Sequence, residues 1–271
     1  MTDNYLYLEQ HWLEVPYYQS KRRVRVLLPA NYYEHPDKNY PVLYMHDGQN
    51  VFHSKEAFAG YSWKIIPLIK QHPNLPQVIV VGIDNAEANR LDEYTPWPIN
   101  DHHFKNLGGH GFAYSDWVVN TVKPFIDQTY RTLSDCQSTL LAGSSLGGLI
   151  TAFMGSAYPD IFGNLGVFSS AAWLCQDAFN DFVIKHPLRL QTRVYIQTGA
   201  NENDAGDDDF INPNLQAQKY IDESISYSRL LLQNGHPLTN LSLNIFADES
   251  HNEYYWAKHF PNFLKFAFKH A

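Results

Sequence analysis

The sequence predicts an α/β fold with a mainly parallel central sheet flanked by helices on both faces. Short runs of apolar and β-branched residues alternate with longer segments of helical periodicity along the 271 residues. Residues 76–85 (PQVIVVGIDN) are apolar at nearly every central position, which is typical of a parallel strand buried on both sides. The chain contains no internal repeat and no long linker, so we predict a single domain over residues 1–271.

Six strands are predicted in order, at 23–30, 40–48, 76–85, 138–145, 192–200 and 241–250. Four helices are predicted between and after them, at 113–130, 146–157, 214–235 and 252–270. Proline lacks the amide hydrogen of the helical ladder, so Pro124 predicts a kink or an early end and Pro261 an interruption of the last helix. Gly235 suits the end of the third helix. The charged run KRRVR at 21–25 alternates with valine, and we interpret it as the exposed face of a strand.

Composition and charge narrow the class of partner. The formal net charge is −8, which argues against nucleic acid and anionic membranes, since both attract basic surfaces. The two cysteines, Cys136 and Cys175, are too few for a disulfide framework and lack metal-site spacing, which indicates free thiols in a reducing compartment. The first residues lack the regions of a signal peptide, and no apolar run reaches the roughly 18 residues of a membrane span. We therefore expect a cytoplasmic protein.

The stretch LLAGSSLGGLI contains the pattern Gly-x-Ser-x-Gly, formed by Gly143, Ser145 and Gly147. A predicted strand precedes it and a predicted helix follows it, as in a nucleophile elbow, where a sharp turn exposes a reactive serine. In such a turn the backbone N–H of Leu146 points at the reacting carbonyl. One alternative is a helix whose small first residues only pack on the sheet. Ser144 is the competing hydroxyl, although its position in the motif faces elsewhere.

A serine nucleophile needs a general base and an acid that orients the base, and in this fold the chain order is serine, acid, histidine. His251 follows the last predicted strand and precedes the last helix, where it can reach the turn at Ser145. The acid is expected after the strand at 192–200, where the chain reads GANENDAGDDD. We select Glu202, with Asp204 as the alternative, and interpret the rest as a solvated loop that does not fit the EF-hand calcium pattern.

A second donor for the reacting oxygen is expected from the loop MHDGQN, which follows a predicted strand. Gly48 allows a tight turn there, and the N–H of Gln49 is the candidate donor; the alternative is an ordinary Asp-Gly turn. The aromatic segment at about 94–112 is interpreted as a roof over the pocket. A zinc site is the disfavoured alternative for three histidines of this segment: His102, His103 and His110. We expect no metal and no cofactor.

Several blocks over roughly residues 20–270 together resemble the putative esterase family of α/β-hydrolases. That family includes feruloyl and acetyl-xylan esterases, S-formylglutathione hydrolases, antigen 85 mycolyltransferases and siderophore esterases. The blocks are PVLYMHDGQNVF, VVGIDN, RLDEYTPW, VKPFIDQTYRT, AGSSLGGLITAFMGSAYPDIFG, VFSSAAW and SHNEYYWAKHFPNFLKF. The resemblance is greatest to the bacterial cytosolic subgroup that contains the siderophore esterases. It implies an α/β-hydrolase fold and ester hydrolysis without a cofactor.

The resemblance also implies a role for each matching residue. Ser145 matches the family nucleophile, His251 the base and Glu202 the acid. Leu146 and Gln49 match the positions whose N–H groups form the oxyanion hole. Some siderophore esterases of the family work with a serine–histidine pair and no acid. The resemblance therefore implies a dyad as the alternative to the triad.

Two further positions are expected near the substrate. Arg90 and Glu93 match a recurring Arg-x-x-Glu of the subgroup, which either contacts substrate or forms a salt bridge within its loop. Trp173 is expected to line the cleft or the core. We therefore expect a serine carboxylesterase acting on a small-molecule ester with a small or aromatic acyl group. The alternatives are a siderophore trilactone esterase, an acyltransferase, a peptidase and a non-catalytic hydrolase scaffold.

Overall fold

The computed structural model describes residues 7–99, 107–202 and 215–269. Its strands are β1 (Tyr7–Val15), β2 (Ser20–Leu28), β3 (Val42–Met45), β4 (Ile79–Ile83), β5 (Thr139–Ser144), β6 (Asn164–Phe168), β7 (Arg193–Gly199) and β8 (Leu241–Phe246). Its α-helices are α1 (Ile65–Gln71), α2 (Arg90–Tyr94), α3 (Gly111–Trp117), α4 (Lys123–Thr129), α5 (Leu146–Ala157), α6 (Gln176–Lys185), α7 (Leu215–Gln233) and α8 (Glu253–Ala267). All eight strands belong to one sheet in the order β1-β2-β4-β3-β5-β6-β7-β8.

The sheet is mainly parallel, as the alternation of strands and helices predicted. From β4 through β3 and β5 to β8 every neighbouring pair is parallel, whereas β1, β2 and β4 pair antiparallel. The six predicted strands correspond to β2–β5, β7 and β8. We did not predict β1 and β6. β1 is an edge strand with one buried residue, and β6 is five residues long with an asparagine and a glycine, so neither has a strong strand pattern.

Helices cover both faces of the sheet, because successive side chains of a buried strand point to opposite sides. In β3, Val42 and Tyr44 join the core under α3–α7. Leu43 and Met45 join the second core, under α1 and α8. All four residues of β3 are buried, so the continuous apolar runs predicted the two-sided covering correctly.

The interpretation of the charged run at 21–25 as an exposed strand face was wrong. Arg22 and Arg25 are 6% and 0% exposed. Arg22 donates to Glu93 at 2.8 Å, and the Arg25 guanidinium donates to Asp84 at 2.9 Å. Both carboxylates come from segments about 60 to 70 residues away along the chain. A buried charge is tolerated only when it is paired, and no local pattern reveals such a distant partner.

The prolines do not end their helices. Between α3 and α4 the chain forms a π-helical turn at Val118–Val122, and Pro124 follows as the second residue of α4. A π turn inserts an extra residue into the ladder, which accommodates a position without an N–H. Pro261 lies inside α8. Gly235 closes α7 as predicted, with a left-handed φ of 84° and its N–H donating to the Leu232 carbonyl.

Within the described ranges, no helix is both long and apolar enough to cross a membrane. The longest described helix, α7, has 19 residues and carries four charged side chains: Lys219, Asp222, Glu223 and Arg229. The assignment of residues 1–271 to a single domain extends beyond the described ranges and stays a prediction.

Candidate active site

The residues selected from the sequence lie at the carboxyl edge of the sheet. Ser145 follows β5, Glu202 follows β7 and His251 follows β8. β5 and β7 flank β6, and β8 lies beyond β7, so these segments are close neighbours in the sheet order. Gln49 follows β3, on the other side of β5. Parallel strands end at a common edge, and ligands of such sheets bind there.

Ser145 lies in a strained turn between β5 and α5. Its backbone has φ 59° and ψ −123°, a conformation that side chains other than glycine rarely adopt. The flanking glycines make the turn possible: a Cβ at Gly143 would lie 2.5 Å from the Gly147 carbonyl oxygen, which is an overlap. A Cβ at Gly147 would approach Asp47 Oδ2 to 3.1 Å. The predicted sharp strand-to-helix turn is therefore present, and Ser145 is half-buried while Ser144 is only 5% exposed.

The His251 ring contacts the buried carboxylate of Glu202, with 2.6 Å between Nδ1 and Oε2. Glu202 is 1% exposed. Its Oε1 accepts the Gly199 N–H at 2.5 Å and the hydroxyls of Ser169 and Thr198 at 2.6 and 3.1 Å. Three donors hold one oxygen, so the other is directed at the imidazole. This arrangement favours the proton on Nδ1 and leaves Nε2 as the basic nitrogen.

Two aromatic rings hold the imidazole in place. Tyr220 lies 4.6 Å from the His251 ring centroid, and Trp256 meets it edge-to-face at 4.9 Å. The Trp256 indole N–H donates to Ser169 Oγ at 2.9 Å, and that hydroxyl donates to Glu202. The base and its acid thus share one rigid frame, which we call the His251 frame: Glu202, Ser169, Tyr220 and Trp256.

The backbone of Ser145 is bonded to the segment that carries Ser169. Its N–H donates to the Phe168 carbonyl at 3.0 Å, and its carbonyl accepts the Ala171 N–H at 3.0 Å. Phe168 directly precedes Ser169. Ser145 Oγ itself has no hydrogen bond among the described residues. Hydrogen bonds between a nucleophile and its base often form only when substrate binds, and the pairing of Ser145 with His251 stays a prediction.

The loop after β3 lies against the start of α5. Asp47 adopts a left-handed backbone with φ 56°, and Gly48 packs so tightly on the segment after β4 that no side chain fits. The Gln49 side-chain amide exchanges two hydrogen bonds with Asn85, at 2.7 and 3.0 Å. Leu146 is the first residue of α5, where a backbone N–H has no acceptor within the helix. Both predicted oxyanion positions therefore lie on anchored backbone at this edge.

Arg90 and Glu93 each form a salt bridge, but they do not pair with one another. Arg90 donates twice to Asp47, at 2.6 and 2.8 Å, and Glu93 pairs with Arg22. Burial raises the pKa of the Asp47 carboxyl, but the charge and hydrogen bonds of Arg90 lower it by a larger amount. The pKa of Asp47 therefore lies below its ordinary value. The pair anchors the loop that carries Gln49. Contact of Arg90 with substrate stays a prediction.

Arg90→Met is expected to lower the free energy of unfolding by about 3 kcal/mol, because it leaves the buried Asp47 carboxylate without its cation. Denaturant unfolding measures this loss. Arg189→Met is the matched control, since Arg189 and its partner Asp160 are 51% and 72% exposed and such surface pairs contribute about 0.5 kcal/mol or less. Unchanged stability together with a raised KM in Arg90→Met would instead assign Arg90 to substrate binding.

Sequence reasoning missed a buried histidine in the same loop. His46 is 1% exposed, and its Nδ1 lies 2.7 Å from the Tyr114 hydroxyl. Burial, together with the nearby Arg90 charge, lowers the pKa of His46 to about 3, although Asp47 opposes the shift. His46 is therefore neutral near pH 7. It comes directly after β3, and the rule that functional residues follow strand ends would have found it.

The residues of the His251 frame were also missed, except Glu202. Ser169 follows β6 at the same edge, but β6 was not predicted, so that position was not considered. Tyr220 and Trp256 lie on α7 and α8, and nothing in the helical pattern distinguishes them from core aromatics. Trp173 lies beyond β6, half-buried, and contacts Tyr220 edge-to-face at 5.9 Å.

Two histidines of the zinc alternative, and the alternative acid, are not among the residues that the structure describes. His102, His103 and Asp204 lie outside the described residues. His110 is described, and its Nδ1 pairs with Asp92. Among the described residues, no group of three or more His, Cys, Asp or Glu side chains has the arrangement of a metal site.

Comparison with known proteins places the chain in a family. A family model described as Putative esterase matches residues 16–266. The uncharacterized protein YbbA of Bacillus subtilis is 28% identical over 252 residues, which cover 92% of this chain and 93% of that protein. An endo-1,4-beta-xylanase/feruloyl esterase of Xylanibacter ruminicola is 23% identical over 184 residues, which cover 67% of this chain and 22% of that larger protein.

Solved structures share the fold at low sequence identity. A ferulic acid esterase has a TM-score of 0.72 at 16% identity, covering 97% of this chain and 98% of its own. The BES protein from Bacillus cereus has a TM-score of 0.71 at 19% identity, covering 98% and 95%. The siderophore hydrolase EstB from Aspergillus nidulans has a TM-score of 0.72 at 18% identity, covering 96% and 94%. With a family match over residues 16–266, the chain belongs to the putative esterase family, as a carboxylic ester hydrolase with the α/β-hydrolase fold.

Proposed function

We propose that this protein is a serine carboxylesterase that hydrolyses small acyl or aromatic acyl esters through an acyl-enzyme. The observation that carries the proposal is the buried Glu202–His251 pair at the sheet edge where Ser145 sits in its strained turn. A carboxylate, an imidazole and a hydroxyl in this chain order are the parts of a Ser-His-acid triad. A small-molecule ester is the substrate, and the reaction needs no cofactor.

The chemistry proceeds by two acyl transfers. His251 Nε2 accepts the proton of Ser145 Oγ as the oxygen attacks the ester carbonyl. The resulting oxyanion is bound by the N–H groups of Leu146 and Gln49, and the alcohol leaves with the proton from His251. Water then attacks the acyl-enzyme in the same way, with His251 as base, and the acid product is released from Ser145.

The residues around Ser145 and His251 stabilise the charges that form during the reaction. Glu202 stabilises the imidazolium that forms in each transition state, because its carboxylate is held by three donors and is shielded from water. An oxyanion-hole donor contributes about 3 to 4 kcal/mol to the lowering of the barrier, and here one donor depends on the loop that Arg90 and Asp47 anchor.

The acyl group is the open part of the proposal. The relatives include proteins named for ferulic acid and for siderophores, so a trilactone esterase is the second candidate on the same machinery. An acyltransferase uses the same acyl-enzyme with an alcohol in place of water. A cytoplasmic location is part of the proposal and rests on the sequence expectation alone.

Hydrolysis of p-nitrophenyl esters from acetate to octanoate, together with ferulate esters, tests the proposal. Turnover of short esters and labelling of Ser145 by a fluorophosphonate, located by peptide mass spectrometry, are the expected results. Faster reaction on adding an alcohol acceptor, with ester as product, would instead identify an acyltransferase. Neither turnover nor labelling with any ester, trilactones included, would indicate a non-catalytic scaffold.

A further inference from the structure

A cavity of about 450 Å³ lies beside the His251 frame and has no part in the mechanism above. Its lining includes Trp173 from the segment after β6, and Lys219 and Glu223 from α7. Trp173 contacts Tyr220, and Tyr220 lies against the His251 ring. The cavity is therefore linked to the general base through two aromatic rings, Trp173 and Tyr220.

Glu223 is the unexplained group of this cavity. It is 2% exposed, and neither carboxyl oxygen has a hydrogen-bond partner among the described residues. The Ser170 hydroxyl is near enough to lower the pKa of Glu223, but burial raises it more, to about 8. The group is therefore mainly protonated near pH 7, with one O–H donor and a carbonyl acceptor. Buried polar groups are almost always paired, so an unpaired acid at a cavity indicates a missing partner.

Trp173 supplies a second unpaired group. Its indole Nε1 is buried and has no acceptor among the described residues. The Lys219 ammonium lies over the Trp173 ring, 4.7 Å from its centroid. This cation disfavours a second cation, and the Asp222 carboxylate in the same lining disfavours an anion. The charges in the lining therefore favour an uncharged ligand. A ligand hydroxyl can accept a hydrogen bond from the Trp173 indole N–H and exchange one with the Glu223 carboxyl, because a hydroxyl both donates and accepts.

We propose that this cavity is a substrate subsite that binds an uncharged, hydroxyl-bearing part of the ester through Glu223 and Trp173 Nε1. The inference rests on the proposed esterase function. The hydroxyl belongs to either the acyl or the alcohol half of the substrate, and the two sources have the same chemistry at the subsite. Glu223 is thus a specificity-determining residue of the reaction, with no part in the bond-breaking steps.

Two pairs of esters that differ in hydroxyl groups test the subsite. Hydroxybenzoate and benzoate p-nitrophenyl esters vary the acyl half; butyrylglycerol and propyl butyrate vary the alcohol half. In one pair, the hydroxylated ester is expected to have a kcat/KM about tenfold higher than its partner without the hydroxyl, mainly through a lower KM. The pair that shows this difference identifies whether the hydroxyl belongs to the acyl or the alcohol half. Glu223→Gln keeps most of this ratio because an amide also donates and accepts, whereas Glu223→Leu reduces the ratio to about one.

The outcomes separate this inference from the proposed function. Absence of turnover of all four esters, together with the absence of turnover of every other ester tested and of Ser145 labelling by a fluorophosphonate, overturns the esterase proposal and the subsite with it. Turnover without discrimination in either pair, or an equal effect of Glu223→Leu on both members, overturns the subsite alone. Thermal unfolding of both variants shows whether a loss of activity reflects a loss of fold.

The pH dependence gives a second readout. The groups around Glu223 are Lys219 and Asp222 in the same cavity lining, the Ser170 hydroxyl, and Cys175 and Tyr227, whose pKa values are raised by burial and, less, by Glu223. Above about pH 8, ionisation of Glu223 is expected to raise the KM of the hydroxylated ester in the wild type and not in Glu223→Gln.

Stability changes in the same pH window. The pKa of Glu223 is about 8 in the folded protein against an ordinary 4.5, so the stability present below pH 4.5 is lost as the pH rises to about 8. Glu223→Gln does not titrate, so its Tm relative to the wild type is expected to rise between pH 5 and 8. A constant Tm difference across this range would contradict a buried, protonated Glu223.

Discussion

Ser145→Ala is expected to lower kcat/KM for every ester by a factor of about 10⁴ or more, because the proposed acyl-enzyme forms on the Ser145 hydroxyl. Alanine fits the strained backbone no worse than serine, so thermal unfolding should be nearly unchanged. Initial rates with p-nitrophenyl acetate measure the loss, and fluorophosphonate labelling should disappear with it.

Ser144→Ala is the matched control, one residue away on the same turn. Ser144 is the last residue of β5, buried, and points away from the cleft edge by the alternation of the strand. Its variant should keep activity within about threefold, as expected of a substitution that removes no catalytic group. Loss of activity in Ser144→Ala with retention in Ser145→Ala would make Ser144 the nucleophile and the elbow assignment wrong.

Glu202→Gln is expected to lower kcat by about 10³- to 10⁴-fold without loss of fold. The three donors on Oε1 keep an amide oxygen at that place, so the amide nitrogen must face His251 Nδ1. An amide N–H cannot accept a proton, and the imidazole is forced to carry its own proton on Nε2. That nitrogen then cannot act as the base for Ser145. Single-turnover kinetics would locate the loss in acylation.

Glu249→Gln provides a closely matched control. Glu249 is also a buried carboxylate paired with a histidine, His259, at 2.7 Å, but its carboxyl group contacts Gln197, Lys258 and His259 and none of the residues of the His251 frame. Its variant should change stability and leave kcat within about threefold. A loss of less than tenfold in Glu202→Gln would favour a serine–histidine dyad over the triad.

The elements that sequence analysis predicted are those whose signal is local. The strands β3 and β4 are apolar at nearly every position, because helices cover both faces of the sheet there. The Gly-x-Ser-x-Gly turn is also local, since the clash of a side chain at Gly143 with the Gly147 carbonyl depends only on the turn itself. The short β6 and the edge strand β1 lacked such signals and were missed.

The partners of charged residues were not predictable in this way. Arg90 and Glu93 are three residues apart, yet each pairs with a residue more than 40 positions away, Asp47 and Arg22 respectively. The arginines of the run at 21–25 have the alternation of an exposed strand face, and packing instead buries two of them against carboxylates. Alternation reports which side chains share a face and not what covers that face.

The sequence by itself determined the α/β class, the strand ends at which to look, and the chain order of Ser145, Glu202 and His251, because periodicity, turn sterics and chain order can be read along the chain. Only the tertiary structure decided that Oε1 of Glu202 is held by three donors, that Tyr220 and Trp256 hold the His251 ring, and that the buried Glu223 carboxyl has no hydrogen-bond partner within the described ranges. These facts depend on segments up to about 90 residues apart meeting at one sheet edge. The physical reason is that burial and hydrogen-bond partners are set by which elements pack together, and no single segment encodes that choice.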